Sequence, residues 1–383
     1  MQHTIEVCCI LYKGIGEMKK SLIIVESIPN IVTAIAIRNE MYSEEAFDLL
    51  ITNGNTKIID IKNGRKLEGI FDNVYYADVF ANNNIIKKCI GIISLKAVLK
   101  LYLMDNKTLC KDYTDLFFWN PSELFYIVSS YLGKNLRYHV YGDQLSAFTM
   151  DSPDEDITEY CFYKRGLFNN AFKLRYKPKR VDSIDFDFYM FRPDLSCCTR
   201  KHSVVEIPST CFDNSVFISM ISDIYDYDKS FSIKQDYIYF GNVAGEEKDY
   251  KSTFEVLKKL IEIVPREELI VKPHPRMGKE YYKDYDVDIV DKVFPWDLYC
   301  LNNDISNKVF ITDVSSAVFI PAFVYGKRFT VIWLRNVIKG NKIFEKEWDS
   351  LICNLEACGC KSIEINSIDE IRVAIENIRQ GRI

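Results

Sequence analysis

The feature that most limits how this chain can fold is an alternation. Short apolar runs, bounded by turn or cap residues, recur between longer stretches of helical periodicity. In the first half, residues 21–26 (SLIIVE), 47–52 (FDLLIT), 74–80 (VYYADVF), 115–119 (DLFFW) and 136–141 (LRYHVY) read as strands. Ser27 stands as the N-cap of a helix reaching Met41, and Pro29 is tolerated in its first turn. Residues 85–102 are apolar at helical spacing, and Asn120 with Pro121 is expected to cap and open a further helix. The pattern resumes later. Residues 236–245 read as a strand running into a glycine-bearing loop, and 268–272, 308–313 and 328–334 as three more strands. Ser252 and Glu255 have capping-box spacing ahead of a helix, and residues 367–380 form the last one. Strand and helix in turn argue for parallel sheets wrapped by helices.

A length of 383 residues suits two domains of ordinary size. Residues 149–202, rich in Asp, Tyr, Phe and Lys, lack a clear apolar period, and 203–208 (SVVEIP) read as the closing strand of the first half. The expectation is therefore an α/β chain of two domains, 1–205 and 206–383, with packing of the last helix back onto the first domain left open. Two such halves put a cleft between them, and ligands of parallel sheets gather at the carboxyl ends of the strands.

Composition excludes some partners. A net charge of −5 advertises no bulk nucleic-acid binding. The eight-residue run IEVCCILY is far short of a membrane span, has no basic leader before it, and so predicts no signal peptide. Twelve cysteines without C-x-x-C spacing read as reduced thiols in a cytoplasmic protein.

The strand-end rule sorts the residues that can carry chemistry. At 311–323 (ITDVSSAVFIPAF) a strand ends in Thr312 and Asp313, and Ser315 and Ser316 open an apparent helix. Hydroxyls and free N–H groups at a helix start make an anion site, although Pro321 is expected to kink or delay that helix. At 269–279 (LIVKPHPRMGK) a strand ends in Lys272, and His274 sits between two prolines that limit where its imidazole can go. Histidine can donate to a phosphate oxygen as a leaving group departs, and Lys272 and Arg276 add positive charge. Asp297, in VFPWDLYC, is a carboxylate suited to grip ribose hydroxyls. The D-x-D matches at 185–187, 226–228 and 284–286 read as surface or turn carboxylates, not a metal site.

These three stretches together (KPHPR, FPWDLY and ITDVSSAVFIPAFVYGKRFTVIW) resemble the carboxyl-terminal half of bacterial sialyltransferases of glycosyltransferase family 52, the lipooligosaccharide sialyltransferase group. The resemblance implies a GT-B architecture, two Rossmann-like domains with the active site in the cleft between them. It implies that His274, Ser315 and Ser316 hold the phosphate of CMP-N-acetylneuraminic acid, and that Asp297 contacts the ribose. It raises Gly241 as a place where a backbone N–H approaches the donor, and Lys272 as a further donor-side residue. The family's amino-terminal motif, acid-Asp-Gly after a strand, is matched in part by YHVYGDQLSAF, where Asp143 keeps the base position, Gly142 replaces the first acid and Gln144 the glycine.

The implied reaction is an inverting, metal-independent transfer without a cofactor. N-acetylneuraminic acid passes to a terminal galactoside of a surface polysaccharide or lipooligosaccharide, with an α-2,3 linkage as the family guess. Cytoplasmic location at the inner membrane face by peripheral association stays open, as does the oligomeric state. Three other readings compete: a CDP-glycerol glycerophosphotransferase, which shares similar H-P and D-x-S-S motifs, a capsule sugar transferase using another CMP-activated acid sugar, and a non-catalytic cytidine-nucleotide-binding subunit of a capsule assembly system.

Overall fold

The computed structural model describes residues 19–52, 65–77, 94–104, 107–133, 135–142, 145–150, 175–176, 184–241, 250–274, 279–290, 295–313, 315–338 and 345–382. The chain forms two compact units. The first comprises Met1–Asp143, Asp151–Met190 and Arg200–Pro208, and the second Gln144–Met150, Phe191–Thr199 and Ser209–Ile383.

The first unit is built on a seven-stranded sheet. Its strands are β1 (Lys20–Val25), β2 (Ala46–Thr52), β3 (Val74–Ala77), β4 (Asp115–Phe118), β5 (Arg137–Gly142), β6 (Phe186–Met190) and β7 (Ser203–Glu206), in the order β3-β2-β1-β4-β5-β6-β7. Every neighbouring pair is parallel. Helices α1 (Ile28–Met41), α2 (Leu95–Tyr102) and α3 (Glu123–Leu132) belong to this unit. Ser27 caps α1, its Oγ accepting the Asn30 N–H at 3.3 Å. Leu22, Ile23, Ile24 and Val25 are all at most 2% exposed, as a central strand covered on both faces requires.

The second unit carries a six-stranded sheet of β8 (Tyr237–Phe240), β9 (Leu269–Lys272), β10 (Asp288–Ile289), β11 (Val309–Thr312), β12 (Thr330–Trp333) and β13 (Lys361–Glu364). The order is β10-β9-β8-β11-β12-β13, again parallel throughout. Its helices are α4 (Ser146–Thr149), α5 (Ser215–Ile224), α6 (Tyr250–Ile263), α7 (Trp296–Asn302), α8 (Ser316–Phe323), α9 (Trp348–Ala357) and α10 (Glu370–Arg379). Ile371, Ala374 and Ile375 of α10 pack into the core formed with Tyr237, Leu260 and Leu269. The short segment around α4 is held by Phe148, whose ring meets Phe323 of α8 at 5.1 Å. Both sheets are Rossmann-like, and the α/β class with two such units is the one expected.

Several local expectations are corrected. Ser122, not Asn120, caps α3, its hydroxyl accepting the Phe125 N–H, because Pro121 sits before the cap rather than at the first helical position. Helix α6 already runs from Tyr250, so Ser252 and Glu255 lie inside it rather than at its start. β6, β10 and β13 were not anticipated. β13 is an edge strand whose residues are half-buried or exposed, so it leaves no apolar run to read. β10 has two residues only, and β6 carries Asp187 at its second position. The start of the stretch at 85–102 lies outside the described residues; its end is α2. Among the described residues no helix is long and apolar enough to cross a membrane.

Candidate functional site

Each sheet winds outward on one side and then returns to the other. The reversal falls between β8 and β11 in the second unit, and the crevice at the carboxyl ends of those strands is where open α/β sheets take ligands. Gly241 follows β8, Lys272 ends β9 with Pro273 and His274 beyond it, and Asp313 and Ser315 follow β11. Strands β9, β8 and β11 are neighbours, about 4.8 Å apart. The fold therefore gathers Gly241, Lys272, His274, Ser315 and Ser316 on one edge. The Gly241 N–H donates to the Lys272 carbonyl at 3.0 Å, tying two of these loops together.

Helix α8 supplies the anion-binding end. Ser315 is its N-cap, with Oγ accepting the Ala317 N–H at 3.3 Å, and Ser316 is exposed at the first helical position. Positive partial charge at this end favours an anion. Pro321 does not delay the helix, which starts at Ser316. It does remove the N–H that would serve the Ala317 carbonyl four residues back. The Trp296 indole N–H serves that carbonyl instead, at 2.8 Å. The FPWDLY and SSAVFIPAF stretches are thus one interlocked piece.

Asp297, next to Trp296, accepts a hydrogen bond from the Tyr325 hydroxyl at 3.1 Å. Burial raises its pKa, against the lowering effects of Tyr325, its own backbone N–H and Lys272. Lys272 responds in the opposite sense: burial lowers its pKa, and the Asp297 carboxylate resists that. Its ammonium lies 5.6 Å from the ring centroids of both Phe240 and Trp296. The outcome is a cation and an anion desolvated together behind the strand ends. His274 is half-buried just beyond Lys272.

Gly241 has a structural reason of its own. A Cβ there would stand 2.0 Å from the Tyr282 hydroxyl, so that side chain already fills the space next to it. Tyr282 is fully buried, its hydroxyl has no hydrogen-bond partner among the described residues, and burial pushes its pKa up to about 12. Trp296, Tyr325 and Tyr282 were not singled out from the sequence. A proline inside α8 was the available signal for Trp296, because it predicts an orphaned carbonyl in need of a donor.

The corresponding reversal in the first unit lies between β1 and β4. Glu26 follows β1, Trp119 and Asn120 follow β4, and Gly142 ends β5. The Tyr141 hydroxyl donates to the Ile24 carbonyl at 2.7 Å, joining the end of β5 to that of β1. Asp143, Gln144 and Arg276 lie outside the described residues. Among the D-x-D carboxylates, Asp187 lies 3.5 Å from His139 Nδ1 and Asp286 pairs with Arg266.

No family model matches the chain, and no curated protein does. Among solved structures it is similar to the UDP-GlcNAc 2-epimerase of Neisseria meningitidis, at 12% identity and a TM-score of 0.49, over 94% of this chain and 91% of that one. It is similar to the GT-B domain of a Photobacterium damselae sialyltransferase, at 16% identity and 0.49, over 90% and 99%. A UDP-GlcNAc 2-epimerase of Methanocaldococcus jannaschii stands at 14% and 0.49, over 88% and 92%. At these scores the likeness adds nothing to the fold class that the two strand orders already establish.

Proposed function

We propose that the chain is an inverting glycosyltransferase that moves N-acetylneuraminic acid from CMP-N-acetylneuraminic acid to a terminal galactoside. One observation carries this reading: Lys272, His274, Gly241, Ser315 and Ser316 stand at the carboxyl ends of three adjacent parallel strands, flanking the point where the strand order reverses. The first turn of α8 and its two serines suit a phosphate, and Lys272 and His274 suit the charge that grows on it.

In this reading the bond between the anomeric carbon and the CMP phosphate oxygen breaks while the acceptor oxygen bonds the same carbon from the opposite face. The phosphate keeps the electron pair, and His274 donates to it. Positioned donors of this kind are worth about 3 kcal/mol each on a barrier. The acceptor hydroxyl loses its proton to a carboxylate of the first unit, for which the resemblance nominates Asp143. Asp297 serves the ribose through the carboxylate oxygen not taken by Tyr325.

The test is donor choice. The purified full chain is offered CMP-N-acetylneuraminic acid with lactose, and CDP-glycerol with a glycerol-phosphate acceptor. Release of CMP with formation of sialyl-lactose is expected. Turnover of CDP-glycerol alone replaces the reading with the glycerophosphotransferase, and CMP binding without turnover of either replaces it with a nucleotide-binding subunit.

A further inference from the structure

The amino edge of the first sheet holds an amine against a thiol. Lys20 opens β1, and its Nζ donates to Cys110 Sγ at 3.0 Å. The two residues stand 90 positions apart in the chain. Sulfur is a weak acceptor, and an ammonium ordinarily donates to oxygen. Cys197, Cys198 and Cys360 instead meet the Asn354 amide, the Ser196 hydroxyl and the Lys327 carbonyl.

Both atoms are held by more than their own contact. The Lys20 side chain is 18% exposed, and its Nζ also lies 3.3 Å from the fully buried Asp48 carboxylate, 4.0 Å from Asp112 and 5.0 Å from the Tyr113 ring centroid. Burial alone would lower the Lys20 pKa, but Cys110, Asp48 and Asp112 outweigh it and raise the value. The backbone fixes the approach independently. The Thr114 N–H donates to the Lys20 carbonyl at 2.9 Å, and Ser21 pairs with Asp115 in the register of β1 and β4. Just before the thiol, the buried Leu109 offers its carbonyl to the Tyr131 hydroxyl at 3.1 Å. Cys110 is thus pinned at 109 and at 114, yet it is half-buried, so a small oxidant can reach its sulfur.

Peroxide converts a cysteine sulfur to a sulfenic acid, which then reacts with the group beside it. In that first step an S–O bond forms, the peroxide O–O bond breaks, sulfur gives up two electrons and one water leaves. The neighbour here is an amine nitrogen. A direct S–N bond would have to nearly halve the 3.0 Å separation of two pinned atoms, whereas one bridging oxygen fits it with little movement. Forming that bridge takes a second peroxide, which removes two electrons from nitrogen. The sulfenic O–H bond and one N–H bond break, an N–O bond forms, and two waters leave. The surplus proton of the ammonium passes to Asp48, which already faces Nζ. The protein gains one oxygen and loses two hydrogens.

We propose that Lys20 and Cys110 form an oxidative modification site, at which peroxide joins Nζ to Sγ through a single oxygen atom. The link closes a loop that contains β1, α1, β2, β3 and α2. A cross-link over so long a loop restricts the unfolded chain far more than the folded one, so the oxidised protein unfolds later than the reduced one. Two equivalents of a dithiol, each giving two hydrogens and becoming a disulfide, reopen the bridge to amine and thiol with release of one water. Neither residue takes part in the proposed transfer.

The purified full chain is treated with hydrogen peroxide, digested without reductant and read by mass spectrometry. The expected product joins the peptide carrying Lys20 to the one carrying Cys110, with one oxygen gained and two hydrogens lost. It should vanish with dithiothreitol and be absent when the wild type is unfolded in urea before peroxide is added. Lys20→Arg keeps a cation beside the thiol, so its Cys110 is expected to take up oxygen without cross-linking. The thermal midpoint of the wild type should rise by several degrees on oxidation and return on reduction, a rise lost in Cys110→Ser. Cys110 of the folded wild type that carries only oxygen adducts or a disulfide, or stays unreacted, overturns the proposal. So does a link to another lysine, a direct link without the oxygen, or a link formed equally by the unfolded chain. These outcomes are all read from the wild type, so they decide the matter even where a variant fails to fold.

Discussion

The two edges of the first sheet treat their carboxylates differently. At the amino edge, Asp115 opens β4 and is 3% exposed. It is met by His139 Nε2 at 2.7 Å, by an Arg137 guanidinium nitrogen at 2.8 Å and by the Thr114 hydroxyl at 2.6 Å. Asp48, fully buried, takes the Tyr113 hydroxyl, the Asn73 amide at 3.0 Å and the Lys20 ammonium at 3.3 Å. At the carboxyl edge, Glu26 has Ser122 as its one side-chain partner among the described residues. Paired carboxylates hold strands in place; a carboxylate left with unused lone pairs at the reversal point is available to something from outside.

The largest effect expected from this contrast is on stability. Asp115→Ala leaves His139 buried without its partner and is expected to cost about 3–5 kcal/mol, read from the denaturant midpoint. Activity per folded molecule should not change, and a selective loss of turnover would erase the distinction between the edges. pH offers an independent check. Burial alone would raise the Asp115 pKa, but hydrogen bonds from His139, Thr114 and Arg137 outweigh it and bring it from 3.8 to about 2. A lowered pKa means the contribution is complete above the unfolded value and is lost as pH falls toward 2. Asp115→Ala should therefore flatten the acid limb of the stability curve.

At the carboxyl edge of the second sheet the expected cost moves from stability to rate. His274→Ala should slow sialyl transfer about a hundredfold, the scale of a positioned proton donor, with the unfolding midpoint nearly unchanged. A near-normal rate would make His274 a loop residue and leave Lys272, Ser315 and Ser316 to hold the phosphate in the reading.

Much of this contrast could be read before any coordinates. The apolar runs at 21–26, 47–52 and 308–313 announce strands because central parallel strands bury both faces and need no polar alternation. The strand-end rule then placed Lys272, His274 and the two serines on one edge. What the sequence could not give were partners set by tertiary packing. Nothing local says that Trp296 serves Ala317 or that Tyr282 fills the space beside Gly241, because these contacts join different loops. Glu26 was read only as the end of a strand. That no cation reaches it among the described residues is set by tertiary packing and has no sequence signature. β13 escaped because a half-exposed edge strand lacks the pattern that marks a central one.

Trp296 tests whether the carboxyl edge of the second sheet is also partly structural. Trp296→Phe keeps an aromatic ring against Tyr299 and Phe240 but removes the donor to the Ala317 carbonyl. An unsatisfied buried acceptor is expected to cost about 1–3 kcal/mol of stability. Because that carbonyl belongs to the first turn of α8, CMP affinity should fall along with stability. A loss of stability with unchanged CMP affinity would separate the helix from the phosphate.

Tyr282 gives the smallest expected effect and the most direct one. Its hydroxyl is buried beside Gly241 without a partner among the described residues. Tyr282→Phe removes that group and keeps the ring packed against Phe254, at 5.8 Å between centroids. Deleting an unsatisfied buried hydroxyl should raise stability by about 1 kcal/mol. If the hydroxyl instead has a role when ligand binds, CMP affinity falls in the variant while the empty protein grows more stable. The two titrations therefore divide the cases. A gain in stability with unchanged CMP binding makes Tyr282 a packing residue that accounts for Gly241 by itself. A gain in stability with weaker CMP binding makes the Tyr282 hydroxyl a donor kept open for a ligand at a cost to the empty fold.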